Sequence, residues 1–324
     1  MSSYVCVDSG SEYCPCVLAE VGECINCTRI NGSDVCDCAW GGICVLEHAK
    51  YHPDRMDRVD SPACTLSWIN MEDRYLYLDV RVDYPIWAGS HVPGSFLFVR
   101  PESHDSKFNI PLCVFRTLTG NRLAFLVKVE GPKTKTLKDR LTVDSNLIVH
   151  GPHHNGILGI THIRKARFQR ILLVVYGVGQ ASVPLLASYL SARGNSVDAV
   201  IDTADLGRDL LGEELVQRGG QVWYLALRTE KGVAQLERLL KEGIYSMVYS
   251  AGPDGQHYRI ELMLSRFGVK AVSCASNNAL MSCGEGVCGA CFTMTRDGKG
   301  SFRACKANPD PGTVFMKTSL LCPS

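Results

Sequence analysis

The spacing of hydrophobic and polar positions changes twice along the chain. From about 64 to 160 it alternates. Leu76, Leu78, Val80 and Val82 interleave with Tyr75, Tyr77, Asp79 and Arg81, and shorter runs of strand character lie at 95–100, 111–116, 123–129 and 146–149. A period of two places alternate side chains on opposite faces of a strand, and the Gly, Pro and Asp residues between the runs supply turns. This predicts a small closed antiparallel barrel over 61–160. From Arg170 the pattern becomes an unbroken apolar run at 171–176, an amphipathic stretch at 183–190 and a second apolar run at 197–201. Strand, tight turn, helix and strand make a βαβ unit, so 161–275 reads as an α/β nucleotide-binding domain.

The two ends follow neither period. Residues 1–60 hold eight cysteines, Cys6, Cys14, Cys16, Cys24, Cys27, Cys36, Cys38 and Cys44, among too few aliphatic side chains to bury a core. Metal ligation supplies the free energy that burial cannot. The first expectation is a 4Fe-4S cluster held by four of Cys14, Cys16, Cys24, Cys27, Cys36, Cys38 and Cys44; structural zinc and a disordered thiol-rich arm stay open. Residues 276–324 hold Cys283-x4-Cys288-x2-Cys291, with Cys305 beyond a short polar turn. That spacing suits a tight loop around a 2Fe-2S cluster, in which Gly284, Gly286 and Gly289 let the backbone bend and aim N–H groups at sulfur. Zinc and disulfides are the competing readings. Zinc favours paired C-x2-C units, and cysteines three residues apart are poor disulfide partners.

Composition narrows the function classes. With 324 residues, 46% hydrophobic and 21% charged, the chain is long enough for two or three cored units. A formal net charge of +1 offers no case for nucleic acid or a membrane surface, and the longest apolar runs have strand length. Sixteen cysteines without a secretory segment point to a reducing cytoplasm.

The run M-S-C-G-E-G-V-C-G-A-C at 281–291, a later A-C-K and a closing T-V-F resemble the electron-transfer subunit of dihydroorotate dehydrogenase. Its relatives include the small subunits of sulfide dehydrogenase and of NADH-dependent ferredoxin:NADP oxidoreductase, all on the ferredoxin-NADP reductase plan. The resemblance implies a ferredoxin-NADP reductase-like fold with FAD in the barrel, NAD(H) or NADP(H) in the α/β domain and a C-terminal 2Fe-2S loop, here with an extra N-terminal cysteine module. Ile110, Pro111, Leu112 and Cys113 resemble the strand whose hydroxyl approaches the flavin N5, with Cys113 in the hydroxyl position. Gly131, Lys133, Thr134 and Thr136 match a turn entering a helix that meets the FAD pyrophosphate, with Lys135 adding charge.

In the α/β domain, Gly177 and Gly179 match the glycine turn. Gly252 and Pro253 match the strand end near the nicotinamide, where Asp254, Gly255, Gln256 and His257 replace the family's usual residues. Asp202 ends the second strand; it either accepts from a ribose 2′-hydroxyl, favouring NADH, or caps its own turn. His153 and His154 are assigned no chemistry.

These parts in this order describe an electron-transfer subunit linking NAD(P)H, FAD and iron-sulfur clusters to a catalytic partner, a larger flavoprotein, with ferredoxin as a further partner. No acid-base or nucleophilic constellation for an organic substrate is visible, so that chemistry is expected on another polypeptide. The competing class is a non-catalytic iron-sulfur scaffold or redox sensor.

Overall fold

A computed structural model describes residues 5–36, 44–51, 56–242 and 244–315. Six strands, β1 (Asp60–Met71), β2 (Tyr75–Arg81), β3 (Phe96–Pro101), β4 (Ile110–Leu118), β5 (Arg122–Lys128) and β6 (Asn146–His153), close an antiparallel barrel in the order β1-β2-β5-β4-β3-β6. The alternation explains the closure. Leu76, Leu78 and Val80 point inward with Leu97, Leu112 and Phe125, while Tyr75, on the opposite face of β2, packs against the α/β domain. The helix Pro132–Arg140 contributes Leu137, fully buried in the barrel core, which contributes about 2 kcal/mol. That anchor fixes where the helix begins.

The chain crosses from the barrel to the second sheet between His153 and Ile157. There β7 (Ile157–Leu158), β8 (Arg170–Tyr176), β9 (Ser196–Asp202), β10 (Val222–Tyr224), β11 (Met247–Ala251) and β12 (Val272–Ser276) lie in the order β10-β9-β8-β11-β12-β7. All neighbours are parallel except β7, which runs antiparallel to β12. The unbroken apolar runs follow from burial on both faces. Ile171, Leu173 and Val175 pack on the helix Val183–Ser191 and on the barrel, and Leu172 and Val174 pack on the helices Glu230–Lys241 and Asp254–Arg266. The order reverses between β8 and β11, which opens a crevice at their carboxyl ends.

Beyond β12 the chain returns to the barrel. The hairpin β13 (Phe292–Met294) and β14 (Ser301–Arg303) and the thiols Cys291 and Cys305 pack with Phe96 and Phe98 of β3. Asn155 donates to the Ala307 carbonyl at 2.8 Å, and Asn308 donates to Asn155 Oδ1 at 2.7 Å. The amino-terminal segment lies on this tail, with Val7 N–H donating to the Lys306 carbonyl at 2.9 Å and Cys6 bridging Ala307.

Candidate cofactor cleft and thiolate loop

The crevice is a cleft of about 1100 Å3 shared by three parts of the chain. Ile110, Pro111, Leu112 and Cys113 of β4 line one wall, together with Gly131, Pro132, Lys133 and Thr134 at the start of the helix Pro132–Arg140. Gly179 after β8 and Gly252 and Pro253 after β11 line the opposite wall, and residues 276–282 complete it. Cys113 Sγ lies 3.7 Å from the Ala181 carbonyl, and burial pushes its thiol up to about 12, so it stays protonated and neutral. Thr134 Oγ1 accepts from the Glu130 and Gly131 N–H groups at 3.0 and 3.2 Å, capping the helix whose amino end faces the cleft. The partial positive charge of that end suits an anion. Lys133 donates to the Asn109 carbonyl at 3.1 Å on the same wall. Thr136 is half-buried one turn further on and does not line the cleft.

Gly179 is required by close approach: a Cβ there would stand 2.3 Å from the Ala251 carbonyl oxygen. Gly177, at φ +53°, sits behind it against Asp205. Asp202 departs from the ribose expectation. It is buried, its Oδ1 accepts from Ala204 N–H at 2.9 Å and its Oδ2 from Leu227 N–H at 2.6 Å. Both oxygens serve the backbone and the side chain is buried, which favours the turn-capping alternative for Asp202 over the ribose one. The cleft is lined instead by Asp205, Tyr176 and Arg228, whose guanidinium stands 4.8 Å over the Tyr176 ring. No motif marked these residues.

Residues 276–282 run from the cleft to the thiolate loop, where the four expected ligands fall into two pairs. Cys283 and Cys288 share a hydrogen bond, and Cys291 Sγ and Cys305 Sγ lie 3.2 Å apart. Two thiols per pair is the donor set for two tetrahedral irons. Burial opposes ionisation of Cys283, yet the N–H groups of Cys288, Glu285 and Val287 hold its thiol below the ordinary value. The hydrogen bond from Cys305 takes Cys291 down to about 6, and Cys305 rises correspondingly. One thiol of each pair, Cys283 and Cys291, is therefore the readier to ionise, while its partner, Cys288 or Cys305, is held above the ordinary value.

Gly284, at φ +72°, brings the loop against His153: a Cβ there would stand 2.3 Å from Cε1 of that ring. His153 stacks on Phe96, which lines the cleft, at 5.1 Å. Its Nε2 is buried without a partner, and burial holds the ring neutral. An unpartnered ring nitrogen beside this loop can donate to cluster sulfur when it carries the imidazole proton, so these residues fit a 2Fe-2S group.

The amino-terminal thiols divide. Cys24 and Cys27 are buried around Val45 with Cys14 beside them, and Cys16 lies near enough to raise both Cys14 and Cys24, although burial is the larger cause in each. Cys36 and Cys44 are exposed, and Cys38 lies outside the described residues. Leu18, between the two thiol pairs, packs on Gly286 of the thiolate loop. Beneath that contact lies a buried ion network that spacing could not reveal. Lys306 Nζ donates to Asp8 and to Glu285, each at 2.7 Å, and Arg58 bonds the same two carboxylates at 2.7 and 3.1 Å.

Comparison with known proteins follows this geometry. No family model matches the chain. The solved NADH-dependent reduced ferredoxin-NADP oxidoreductase superposes with a TM-score of 0.63 at 21% identity, covering 81% of this chain and 90% of that one. The ferredoxin-NADP+ reductase of Plasmodium falciparum gives 0.50 at 12% identity, covering 67% and 95%. The chain has the ferredoxin-NADP reductase fold. In sequence, this reductase-fold chain is 29% identical over 227 residues to the electron transfer subunit homolog of dihydroorotate dehydrogenase B from Thermotoga maritima, covering 67% of this chain and 75% of the relative. It is 27% identical over 250 residues to the probable electron transfer subunit of the same enzyme from Methanocella arvoryzae, covering 74% and 85%. Among the described residues of this reductase fold no helix is long and apolar enough to cross a membrane.

Proposed function

We propose that the chain is the electron-transfer subunit of a multi-subunit oxidoreductase, carrying electrons between NAD(P)H and a partner by way of FAD and iron-sulfur centres. One observation carries this reading: a single cleft joins the helix start at Gly131, the strand ends at Gly179 and Gly252, and, through residues 276–282, the paired thiols. In it, Ile110, Pro111, Leu112 and Cys113 hold the flavin ring edge, with Cys113 a neutral contact. Gly131, Lys133 and Thr134 meet the pyrophosphate. Gly179, Gly252 and Pro253 admit the nicotinamide, and Arg228 and Asp205 lie where the rest of the dinucleotide can reach. FAD held there would supply the exchange between hydride transfer and one-electron steps that this arrangement needs.

Cys283 with Cys288, and Cys291 with Cys305, hold the two irons of the 2Fe-2S centre. Cys288 is exposed, and Val287, Phe292 and Met294 beside it are 58, 55 and 53% exposed, an apolar surface over which a catalytic subunit or a ferredoxin reaches the cluster. The convergence of Cys14, Cys16, Cys24 and Cys27 beside the loop supports a 4Fe-4S centre that extends the path.

Anaerobic purification followed by NADH or NADPH addition tests the reading. Bleaching of a flavin band, an electron paramagnetic resonance signal of a reduced 2Fe-2S centre and about six irons per chain are expected. Cluster absorbance without flavin replaces it with the scaffold or sensor reading, and two irons with stoichiometric zinc replaces the 4Fe-4S assignment.

A further inference from the structure

The replaced residues after Gly252-Pro253 form a polar chain behind the nicotinamide end of the cleft. Gln256 Nε2 donates to the Val174 carbonyl at 3.0 Å and to Ser250 Oγ at 3.2 Å, tying the ends of β8 and β11 together. Ser250 Oγ lies 2.6 Å from His257 Nδ1. His257 is 1% exposed, and burial lowers its pKa to about 4, so the imidazole is neutral. The Ser276 main chain accepts a hydrogen bond from His257, which puts the imidazole proton on Nε2, the ring nitrogen that faces Ser276, and leaves Nδ1 to accept from the Ser250 hydroxyl. Nε2 lies 3.1 Å from Ser276 Oγ and 3.2 Å from Asn278 Nδ2. Asn278 Nδ2 spends its two protons on the Gly252 carbonyl at 2.8 Å and on Asp254 at 2.9 Å, so Nε2–H donates to Ser276.

Ser276 lines the cleft. Its oxygen faces His257 Nε2 at 3.1 Å and accepts from the Gly252 N–H at 3.4 Å, and among the described residues its proton has long acceptors, the Gly252 carbonyl at 3.3 Å and Asn278 Oδ1 at 3.4 Å. A hydroxyl held by its oxygen with its proton underused is a donor prepared for a ligand acceptor. Behind His257 lies the ring of Phe315, 5.0 Å away, so the imidazole cannot swing aside.

We propose that Ser276 donates a hydrogen bond to the carboxamide oxygen of the bound nicotinamide, and that His257 is the positioning residue that aims it. This rests on the nicotinamide reading of the cleft, and the test separates the two. Oxidation of NADH, or of NADPH if that is the dinucleotide used, is measured on the FAD-loaded chain with ferricyanide as acceptor. ADP-ribose, or its 2′-phosphate in the second case, serves as a competitive inhibitor that lacks the nicotinamide. Ser276→Ala and His257→Phe are each expected to raise KM about tenfold, the size of one neutral hydrogen bond, with kcat nearly unchanged. Flavin content and inhibition by the ADP-ribose ligand stay as in the unaltered chain. His257→Gln, which keeps an N–H near the Nε2 position, recovers most of the loss. An unchanged KM in Ser276→Ala, with ADP-ribose still inhibiting, overturns the inference alone. Equal weakening of KM and of ADP-ribose inhibition marks a merely structural role and also overturns it. Failure of the unaltered, FAD-loaded chain to oxidise either dinucleotide removes the nicotinamide reading and the inference with it.

Discussion

The two thiol-rich ends of the chain reach order by different routes. The carboxy-terminal loop is held from outside: Cys291 and Cys305 lie in one apolar cluster with Phe96 and Phe98, Gly284 rests on His153, and Asn155 and Asn308 tie its backbone to the barrel. Among its described residues the amino-terminal module sets Leu18, Val45, Ala19 and Ile30 beside Cys14, Cys24 and Cys27, so thiols make up much of its core. A loop braced by a folded barrel does not depend on metal for its order, whereas a module whose core is thiols would gain most of its order from bound metal.

Metal removal should therefore affect the two ends most unequally. After chelation under anaerobic conditions, backbone amides in residues 5–36 are expected to lose nearly all hydrogen-exchange protection, while β3 and β8 keep theirs. Protection that survives in 5–36 would erase the contrast. Cys288→Ser is the converse experiment: the 2Fe-2S signal should vanish while the melting of the barrel moves little, because Cys288 is exposed and its loop lies outside the main cores. A variant that keeps the unaltered signal would remove Cys288 from the ligand set.

The same contrast decided what could be read in the sequence. The barrel and the βαβ sheet were legible because burial writes itself as a period, in the alternation at β2 and the unbroken run at β8. Ile110 to Cys113, Gly131 and Gly179 reached the cleft because each motif is local. Asp202 did not reach it, since its partner Leu227 is 25 residues away and spacing from the glycine turn is the same for either role. Thr136 missed the cleft because only the first turn of its helix faces it. Arg58, Lys306, His153 and His257 act through partners far along the chain or through burial, and a single residue carries no period.

Lys306→Met tests what joins the two ends. Lys306 is fully buried between Asp8 and Glu285, and its loss leaves Arg58 alone with two carboxylates, which should cost about 3–5 kcal/mol and lower the thermal midpoint. Burial pushes the Asp8 carboxyl up, but Lys306 and Arg58 pull it further down, so its folded pKa is below its unfolded value. Its contribution to stability is thus complete above about pH 4 and is lost as pH falls through the lowered folded value. Acid should loosen the module in the unaltered chain at low pH, and Asp8→Asn should remove that part of the pH dependence. A Lys306→Met chain with unchanged melting and an unchanged acid limb would show that the network does not hold the ends together.

The smallest expected effect is at the one contact between the two thiol regions that a glycine makes possible. Gly286 has φ +80°, and an added Cβ would stand 2.8 Å from Leu18 Cδ1. Gly286→Ala therefore combines backbone strain, about 1 kcal/mol, with displacement of a side chain able to move. The parts separate in a double-mutant cycle with Leu18→Ala. Strain belongs to the backbone and persists in the double variant, whereas the steric part disappears with the leucine, so the two substitutions should together cost less than their sum by about 0.5–1 kcal/mol. Additive costs would mean that Leu18 does not bear on Gly286 in solution, and the module would then be held by the ion network without this apolar contact.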